Sequence, residues 1–532
     1  MSDTGAAAVP PHVLAVDMGT GAAKVAVVSR EGRIAGSALR PLELIQGPGG
    51  AAEQDPEEWW AAVCDAAREA VAAAAVPPER VIAVRVASQW AVTVPVDAGG
   101  RALANAVSWM DTRGGPHVRA IVDAPVKVSG YPPRKLLRWI RLTGGAPVLS
   151  GIDGLGHVLH LMHDRPEVYA AADALLEPMD YLNLRLTGRA AASYGSIFPY
   201  WLADSRRIDA VDYDPVLLRW TGVDREKMPQ LLPMDAIVGT LLPAVAGELG
   251  LDPATPVLTG LSDLQSAAVG AGSIRPDQGY FSIGTTSWLS AHIDRRKADI
   301  FHQLTTMPSA LAGRRMIVAE QGAAGRCLEF VRDNVLYGSG PGDPAPPPDA
   351  FEILERQAAT VPSGSEGLIF TPWINGVGAP GEDGYTRSAF FNQSLRTTRA
   401  HYARATMEGV AYNLRWLRDH VERFAKQRFQ ALNFIGGGAQ SQLWCQILAD
   451  VLDREVRPVA NPRFANAVGT ALSAFAALGE IDPDEIPAAI ELGPGHAPDP
   501  NAVAVHDRHF EAFLQLLKRN RRIYRGLNAG RG

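Results

Sequence analysis

The sequence is poor in cysteine and has no long apolar run, and these absences exclude several classes of protein. Its 532 residues include three widely spaced cysteines, Cys64, Cys327 and Cys445, with no Cys-x-x-Cys pair. Sparse thiols of this kind are typical of a reducing compartment and predict neither a disulfide framework nor a zinc site. No apolar run approaches the roughly 18 residues that a membrane-spanning helix needs. We therefore expect a cytoplasmic protein with no membrane partner.

Basic clusters and targeting signals are also missing. The formal net charge is −6, and charges of both signs are scattered along the chain without a basic stripe. We therefore expect no nucleic-acid partner. Residues 1–11 are small and rich in alanine, and they lack the basic start and long apolar stretch of a signal peptide. They predict a disordered tail.

What the chain does have is length and an ordinary globular composition, with 47% hydrophobic and 20% charged residues. A chain this long exceeds one compact core and suits two large domains. Glycines and a proline cluster at residues 270–276, which places the boundary between domains of residues 11–272 and 273–525. A stretch rich in glycine and proline at residues 337–350 predicts an exposed loop.

Strand and helix patterns alternate in the first half. Residues 12–17 (HVLAVD) and 24–28 (KVAVV) predict two strands joined by a tight turn at 18–21. Residues 55–75 predict a helix that begins with proline and acidic residues, and residues 81–86 (VIAVRV) predict the next strand. This alternation is typical of an α/β domain.

The opening hairpin has a counterpart in the second half. Residues 280–283 and 288–293 predict two strands around Gly284-Thr285-Thr286, which matches the glycine and threonine turn at residues 19–21. A glycine turn lets backbone N–H groups approach a phosphate closely, and a threonine hydroxyl adds a donor. A single such turn is a common hairpin feature, but matched turns in both halves favour a nucleotide held between two domains.

Asp17 and Asp263 each follow an apolar strand, and each has two interpretations. Asp17 can hold Mg²⁺ directly or through water, or it can bond its own turn. Asp263 lies between an apolar strand at 256–259 and a small-residue helix at 267–272. It can take a proton from a substrate hydroxyl, or it can cap that helix. Local sequence alone favours the turn and the cap.

A third glycine-rich turn lies at residues 436–438, between an apolar strand and a helix that runs to about residue 450. Bare glycines at a helix N-terminus can accept adenosine or its phosphates. The alternative is a plain β-turn-α corner, which needs fewer glycines. The spacing is not that of a Rossmann dinucleotide fingerprint, and the sequence contains no P-loop.

Taken in order, these elements resemble the FGGY family of carbohydrate kinases over residues 11–500. Further stretches that carry the resemblance are Glu-Gln-Asp-Pro-x-x-Trp-Trp, Trp-x-Asp-x-Arg, Asp-Tyr-Leu-x-x-x-Leu-Thr-Gly and Arg-Ala-x-x-Glu-Gly-x-Ala, at residues 53–60, 109–113, 180–188 and 404–411. Within the family the chain is most similar to the xylulose kinase group. The ordered set favours the functional interpretations of both aspartates.

The resemblance implies an α/β fold of two ribonuclease H-like domains, of the actin/hexokinase-like ATPase type, that close on an interdomain cleft. It implies ATP and Mg²⁺ as cofactors and the ATP-dependent phosphorylation of a small sugar at a hydroxyl group. The implied acceptor is a ketopentose such as D-xylulose, with another ketose or a polyol as the alternative. A homodimer is the default assembly.

The resemblance also implies a role for individual residues. Asp263 matches the catalytic base and Asp17 the Mg²⁺ site. The implied ATP-binding residues are Thr20, Gly21, Thr285, Thr286, Gly325, Glu329, Gly437 and Ser441. The implied acceptor-binding residues, besides Asp263, are Trp90, Ala91, Asp111 and Tyr131.

Two departures from the family pattern concern the acceptor more than the phosphoryl chemistry. Trp90 and Ala91 stand where xylulose kinases usually carry Met-His, and Trp90 either offers the sugar an apolar face or is a core aromatic. The family's Gly-Glu-Arg-x-Pro loop reads Gly-Val-Gly-Ala-Pro at residues 376–380, so two charges are missing. A weakened sugar or nucleotide sensor of the same fold is therefore a second hypothesis. A chaperone- or actin-like ATPase is disfavoured, because no peptide-binding appendage is evident.

Overall fold

A computed structural model describes residues 9–338, 340 and 345–529. Most of the tail expected at residues 1–11 lies outside these residues, as do residues 339 and 341–344 of the expected loop. The described part of that loop before Ala350 forms neither helix nor strand, as predicted.

The strands of the first half are β1 (His12–Met18), β2 (Ala22–Ser29), β3 (Ile34–Pro41), β4 (Ile45–Gln46), β5 (Ala52–Gln54), β6 (Val81–Ser88), β7 (Val94–Val96), β8 (Ala106–Val107), β9 (Ala174–Leu176), β10 (Ala191–Ser193), β11 (Ala203–Asp204), β12 (Asp212–Tyr213), β13 (Gln230–Leu232), β14 (Ile237–Thr240), β15 (Pro256–Leu258) and β16 (Leu261–Ser262). The later strands are β17 (Gly279–Ile283), β18 (Thr286–Ile293), β19 (Ala298–Asp299), β20 (Leu304–Pro308), β21 (Arg315–Val318), β22 (Glu320–Ala323), β23 (Ile369–Thr371), β24 (Ala389–Phe391), β25 (Ala431–Ile435) and β26 (Glu455–Pro458).

The α-helices are α1 (Pro56–Ala74), α2 (Gly115–Ile121), α3 (Pro133–Thr143), α4 (Gly154–Asp164), α5 (Pro166–Ala171), α6 (Pro178–Thr187), α7 (Pro215–Thr221), α8 (Pro243–Leu249), α9 (Asp263–Gly270), α10 (Gly325–Val331), α11 (Ala350–Ala358), α12 (Arg399–Ala425), α13 (Gln442–Leu452), α14 (Ala465–Ala477) and α15 (Pro500–Asn528). In the described part of the chain, no helix combines the length and the apolar character needed to cross a membrane.

A seven-stranded sheet lies at the centre of the first half. Its strands follow the order β14-β15-β6-β1-β2-β3, and β16 also pairs with β6. β1 and β2 form the predicted antiparallel hairpin, and β6 pairs with β1 in parallel. β1 is buried along its whole length, as expected for a central strand covered on both faces.

The second half repeats this arrangement around an eight-stranded sheet. Its order is β19-β20-β21-β18-β17-β25-β26, with β22 also paired to β18. β17 and β18 form an antiparallel hairpin, and β25 pairs with β17 in parallel. The structure therefore confirms the predicted repeat: in each half a hairpin stands beside a parallel strand, and each hairpin carries its glycine turn at the carboxyl end of its first strand.

Helix α14 belongs to the second half of the chain but packs against the central sheet of the first half. Its Ala471 and Leu472 share one buried apolar cluster with Val13 and Ala15 of β1. Helix α14 also crosses α9 very closely at Gly469. A Cβ atom at this position would lie only 2.0 Å from the carbonyl oxygen of Ser266 in α9. The position of α9 therefore depends on a contact that only glycine permits.

Replacing Gly469 by alanine is expected to destabilise the fold by about 1–3 kcal/mol, because the added methyl group overpacks the α9–α14 crossing. Thermal denaturation followed by circular dichroism measures this as a lower Tm. The matched control is Gly247→Ala in α8, where an added Cβ meets no atom within 4 Å. That substitution is expected to leave Tm unchanged or to raise it, since alanine favours helix. Equal Tm values for the two variants would contradict the crossing as described.

Candidate active site

The predicted aspartates lie at one edge of the first sheet. Register places Met18 of β1 beside Ser88 of β6, and Ser88 beside Ser262 of β16. Asp17, near the end of β1, and Asp263, just past the end of β16, therefore lie at the carboxyl ends of two parallel strands on opposite sides of β6. In open α/β sheets, ligands bind outside this edge.

Asp263 is the first residue of α9, and Ser262 is its N-cap. Ser262 and Gln265 form a capping box, so the helix begins at residue 263 and not at residue 267 as the sequence predicted. The cap interpretation of Asp263 is therefore wrong. Its carboxylate accepts a hydrogen bond from the backbone N–H of Leu264 at 2.8 Å.

The surroundings of Asp263 make its carboxyl group an unusually good proton acceptor near neutral pH. Burial raises its pKa to about 7, and the negative charges of Asp17 and Glu320 act in the same direction. The N–H of Leu264 and the charge of Lys24 oppose the increase. A general base is most effective when its pKa lies near the working pH, and perturbed pKa values concentrate at functional sites.

Asp17 is paired with a lysine that sequence reasoning missed. Its side chain is 2% exposed, and one carboxylate oxygen lies 2.7 Å from the Nζ atom of Lys24. The two residues face each other across the β1–β2 hairpin. The sequence carries a signal for this pairing, because Asp17 ends the first predicted strand of the hairpin and Lys24 begins the second.

The first glycine turn is hydrogen-bonded to the segments that follow β6 and β8. Gly21 is exposed, and an added Cβ there would meet no atom within 4 Å. Thr20, in contrast, donates its hydroxyl hydrogen to Gln89 Oε1 at 2.8 Å and accepts from the indole N–H of Trp109 at 3.0 Å. Its hydroxyl group is therefore engaged by side chains, and Gly21 is the open part of the turn.

The predicted nucleotide-binding turns of the second half converge. Gly284 and Thr285 are exposed, and the N–H of Gly325, at the start of α10, donates to the carbonyl oxygen of Gly284 at 2.9 Å. Gly436 adopts a left-handed φ of +90°, and an added Cβ there would lie 2.5 Å from the carbonyl oxygen of Ile283. The three glycine segments are thus packed against one another at the carboxyl end of β17.

The other predicted nucleotide-site residues differ in whether they are open to a ligand or already bonded within the protein. Glu329 is exposed on α10, and Gly437 has open space where a Cβ would be. Ser441 caps α13 by accepting from the N–H of Trp444 at 3.1 Å, and its hydroxyl donates to Glu355 at 2.7 Å. The hydroxyl group of Ser441 is therefore already bonded within the protein.

Glu320 is a second residue that the sequence did not single out. It begins β22, opposite Trp288 of β18. Although Glu320 is solvent-accessible, the protein around its carboxyl group raises its pKa, and a hydrogen bond from Thr286 opposes the increase. Its backbone carbonyl accepts from the N–H of Ala379 at 3.2 Å, so the altered loop at residues 376–380 lies directly against it.

The predicted acceptor residues divide into two groups. Trp90 is half-buried and stacks on Phe198 with ring centroids 5.9 Å apart. Ala91 follows it with a left-handed φ of +58°. Both lie just beyond the end of β6, at the same edge as the aspartates. Tyr131 lies farther along the chain, and its hydroxyl donates to the carbonyl oxygen of Pro147.

Asp111, the remaining predicted acceptor residue, is enclosed by protein donors. It is fully buried and accepts from the N–H of Ala52 at 2.9 Å. It also pairs with Arg113 at 2.7 Å. Burial tends to raise its pKa, but the hydrogen bonds from Arg113 and Ala52 outweigh burial and lower the pKa below its usual value. The carboxylate is thus fully engaged by protein donors.

Comparison with known proteins places this geometry in a family. The model of the N-terminal domain of the FGGY family of carbohydrate kinases matches residues 12–270, and that of the C-terminal domain matches residues 279–478. A xylulose kinase of Staphylococcus epidermidis is 25% identical over 519 residues, which cover 96% of this chain and 97% of that protein. A xylulose kinase of Escherichia coli K12 is 27% identical over 510 residues, covering 94% and 98%.

The fold itself matches a solved sugar kinase. A gluconate kinase from Lactobacillus acidophilus superposes with a TM-score of 0.84 at 20% sequence identity, covering 98% of this chain and all of that one. The two-domain actin/hexokinase-like architecture is therefore confirmed. With both family models matched in order, the chain belongs to the FGGY family of carbohydrate kinases, which are sugar phosphotransferases.

Proposed function

We propose that this enzyme transfers the γ-phosphoryl group of ATP to a hydroxyl group of a ketopentose such as D-xylulose. The observation that carries the proposal is the Asp263 carboxyl group, which has a pKa of about 7 at the carboxyl edge of the first sheet. The names of the two xylulose kinases support the choice of acceptor. Another ketose, a polyol or an aldonate is the alternative, because the matched structure is a gluconate kinase.

In this proposal the two glycine turns hold the ATP phosphates with backbone N–H groups. Thr285 adds its hydroxyl group, while Thr20 and Thr286 contribute through their backbones because their hydroxyl groups are already bonded. The remaining proposed nucleotide contacts come from the second domain: Gly325, Glu329, Gly437 and Ser441. We assign acceptor and phosphate binding to residues 11–272 and nucleotide binding to residues 273–525.

The residues present suit a weakly coordinated Mg²⁺ ion. Among the residues that the structure describes, no group of three or more His, Cys, Asp or Glu side chains could hold a metal alone. Mg²⁺ commonly keeps several waters and binds one or two carboxylates together with substrate phosphates. Asp17 would hold the Mg²⁺ ion. The negative charges of Asp17 and Glu320 act on Asp263, and this concentration of negative charge favours a cation near the three carboxyl groups. When bound, the ion would neutralise charge on the phosphate oxygens.

The chemistry that the protein supplies is positioning and proton removal. Asp263 would accept the proton of the attacking sugar hydroxyl as its oxygen bonds to the γ-phosphorus. The bond from the γ-phosphorus to the β–γ bridging oxygen breaks, and ADP leaves. Lys24 would hold the Asp17 carboxylate in place through their ion pair, and Trp90 would offer an apolar face to the C–H side of the sugar. Catalysis of this kind depends mostly on orientation and charge stabilisation.

The pH dependence tests the assignment of Asp263. Because the base acts in its ionised form, kcat/KM for the sugar is expected to rise with pH through about 7. Glu320→Gln removes a negative charge that raises the pKa of Asp263, so this acidic limb should move to lower pH. The measurement is a pH profile of sugar-dependent ADP release.

The matched control is Glu352→Gln on the exposed side of α11, which should leave the pH profile unchanged. An acidic limb near pH 4, or one that Glu320→Gln leaves in place, would count against Asp263 as the base.

A non-catalytic sugar or nucleotide sensor is the second candidate. It is favoured by the loop at residues 376–380, which lies against Glu320 and carries no charged side chain. Measurable sugar binding by calorimetry, without ADP release for any ketose, polyol or aldonate, would favour the sensor over the kinase.

A further inference from the structure

Glu177 is a buried acid that the proposed chemistry does not use. It lies beside the turn at residues 90–92, which carries the proposed acceptor residues Trp90 and Ala91. It immediately precedes α6, and it is 1% exposed. One carboxyl oxygen accepts from the backbone N–H of Val92 at 3.2 Å. The other oxygen is buried and has no hydrogen-bond partner among the described residues. Buried polar atoms without partners are rare and call for an explanation.

The turn that Glu177 contacts is strained. Ala91 has a φ of +58°, a conformation that is unfavourable for a residue with a Cβ atom. Two contacts bracket it: Trp90 stacks on Phe198 on one side, and Glu177 binds the N–H of Val92 on the other. Such a turn persists only when its surroundings hold it.

The groups that face Glu177 are acidic or neutral. Asp180 of α6 is also 1% exposed, and burial raises its pKa to about 8, while hydrogen bonds from the Ser196 hydroxyl and the Ser193 N–H oppose the increase. Asp263 faces it from α9, and the hydroxyl of Tyr200 lies 3.3 Å from that of Thr93. Burial raises the pKa of Glu177 well above its ordinary value, and the charges of Asp180 and Asp263 add to this, while the N–H groups of Val92 and Ala91 oppose it. These surroundings favour the neutral form of the Glu177 carboxyl group.

We propose that Glu177 is a positioning residue: by accepting from the N–H of Val92 it holds the turn at residues 90–92 and thereby sets the affinity for the sugar. The inference rests on the proposed kinase function. Ionisation would add a buried negative charge close to the acidic groups of Asp180 and Asp263, and an uncompensated buried charge is strongly unfavourable. Affinity for the sugar should therefore fall at alkaline pH.

The test compares two substitutions of Glu177. Glu177→Gln resembles the neutral acid, so the KM for the sugar at pH 7 should stay within about twofold of wild type, and its alkaline increase should disappear. Glu177→Ala removes the contact with Val92, so the KM for the sugar should rise about tenfold while the KM for ATP stays constant. Sugar KM values that rise equally in both variants, or in neither, would overturn the proposal.

Two measurements keep the test decisive. Calorimetric titration with D-xylulose reports sugar affinity directly, so the role of Glu177 can be tested without turnover. If the wild-type protein releases no ADP, that result counts against the kinase function and not against the role of Glu177. If Glu177→Ala does not fold, the pH dependence of Glu177→Gln decides, since persistence of the alkaline loss would overturn the proposal. The matched control is Glu57→Gln, which contacts Tyr181 and Arg185 of the same helix and should leave sugar binding unchanged.

Discussion

Replacing Asp263 by asparagine is expected to lower kcat for sugar phosphorylation by about 10²- to 10⁴-fold, the range that a general base contributes. Asparagine keeps the shape of the side chain but cannot accept the proton of the attacking hydroxyl. Because Ser262 rather than Asp263 caps α9, the helix should remain intact and ATP should still bind. Coupled ADP release measures kcat, and calorimetry with ATP measures nucleotide binding.

The control for this substitution is Asp252→Asn, a change in an exposed loop of the same domain, which should leave kcat unchanged. Thermal denaturation should show no large loss of stability in either variant. Turnover retained in Asp263→Asn would remove Asp263 from the role of base and leave it a structural residue.

The second large effect is expected from Gly325→Ala, at the start of α10. An added Cβ would lie 2.4 Å from the carbonyl oxygen of Gly284, so the turn at residues 284–286 must move. Overpacking of this kind costs about 1–3 kcal/mol; if the displaced turn loses that much interaction with the phosphates, the KM for ATP rises by about 5- to 150-fold. The KM for the sugar should change little, because the proposed acceptor residues Trp90 and Ala91 follow β6 in the first half of the chain.

Gly322→Ala is the matched control for this experiment. It lies in β22, three positions before Gly325, and an added Cβ there meets no atom within 4 Å. Its KM for ATP should equal that of wild type. If Gly325→Ala behaved like this control, the convergence of the glycine segments would not be part of the nucleotide site.

Local pattern was sufficient to predict much of the sheet edge. Buried β-branched runs around a short glycine turn predicted both hairpins, and strand ends predicted where Asp17 and Asp263 lie. Hairpins and strand ends depend on residues that are close in sequence, so the sequence alone is enough to predict them. The start of α9 was misplaced because the reciprocal bonds of Ser262 and Gln265 were overlooked, although a capping pair of this spacing is visible in the sequence.

Tertiary features could not be predicted in the same way. Glu320 and Glu177 reach the site from β22 and from the residue before α6, far from Asp263 in sequence, and neither belongs to a recognisable motif. The hydroxyl groups of Thr20 and Ser441 fit a phosphate or adenosine pattern, yet each is bonded within the protein. Which polar groups are free depends on packing between distant segments.

The central claim is that this chain phosphorylates a sugar at the expense of ATP, and one assay tests it most directly. Purified protein with Mg-ATP is screened by coupled ADP release against ketopentoses, polyols and aldonates, with Asp263→Asn in parallel. We predict ADP release that depends on D-xylulose in wild type and is lost in the variant. ADP release that no acceptor stimulates, or that Asp263→Asn retains in full, would contradict the account.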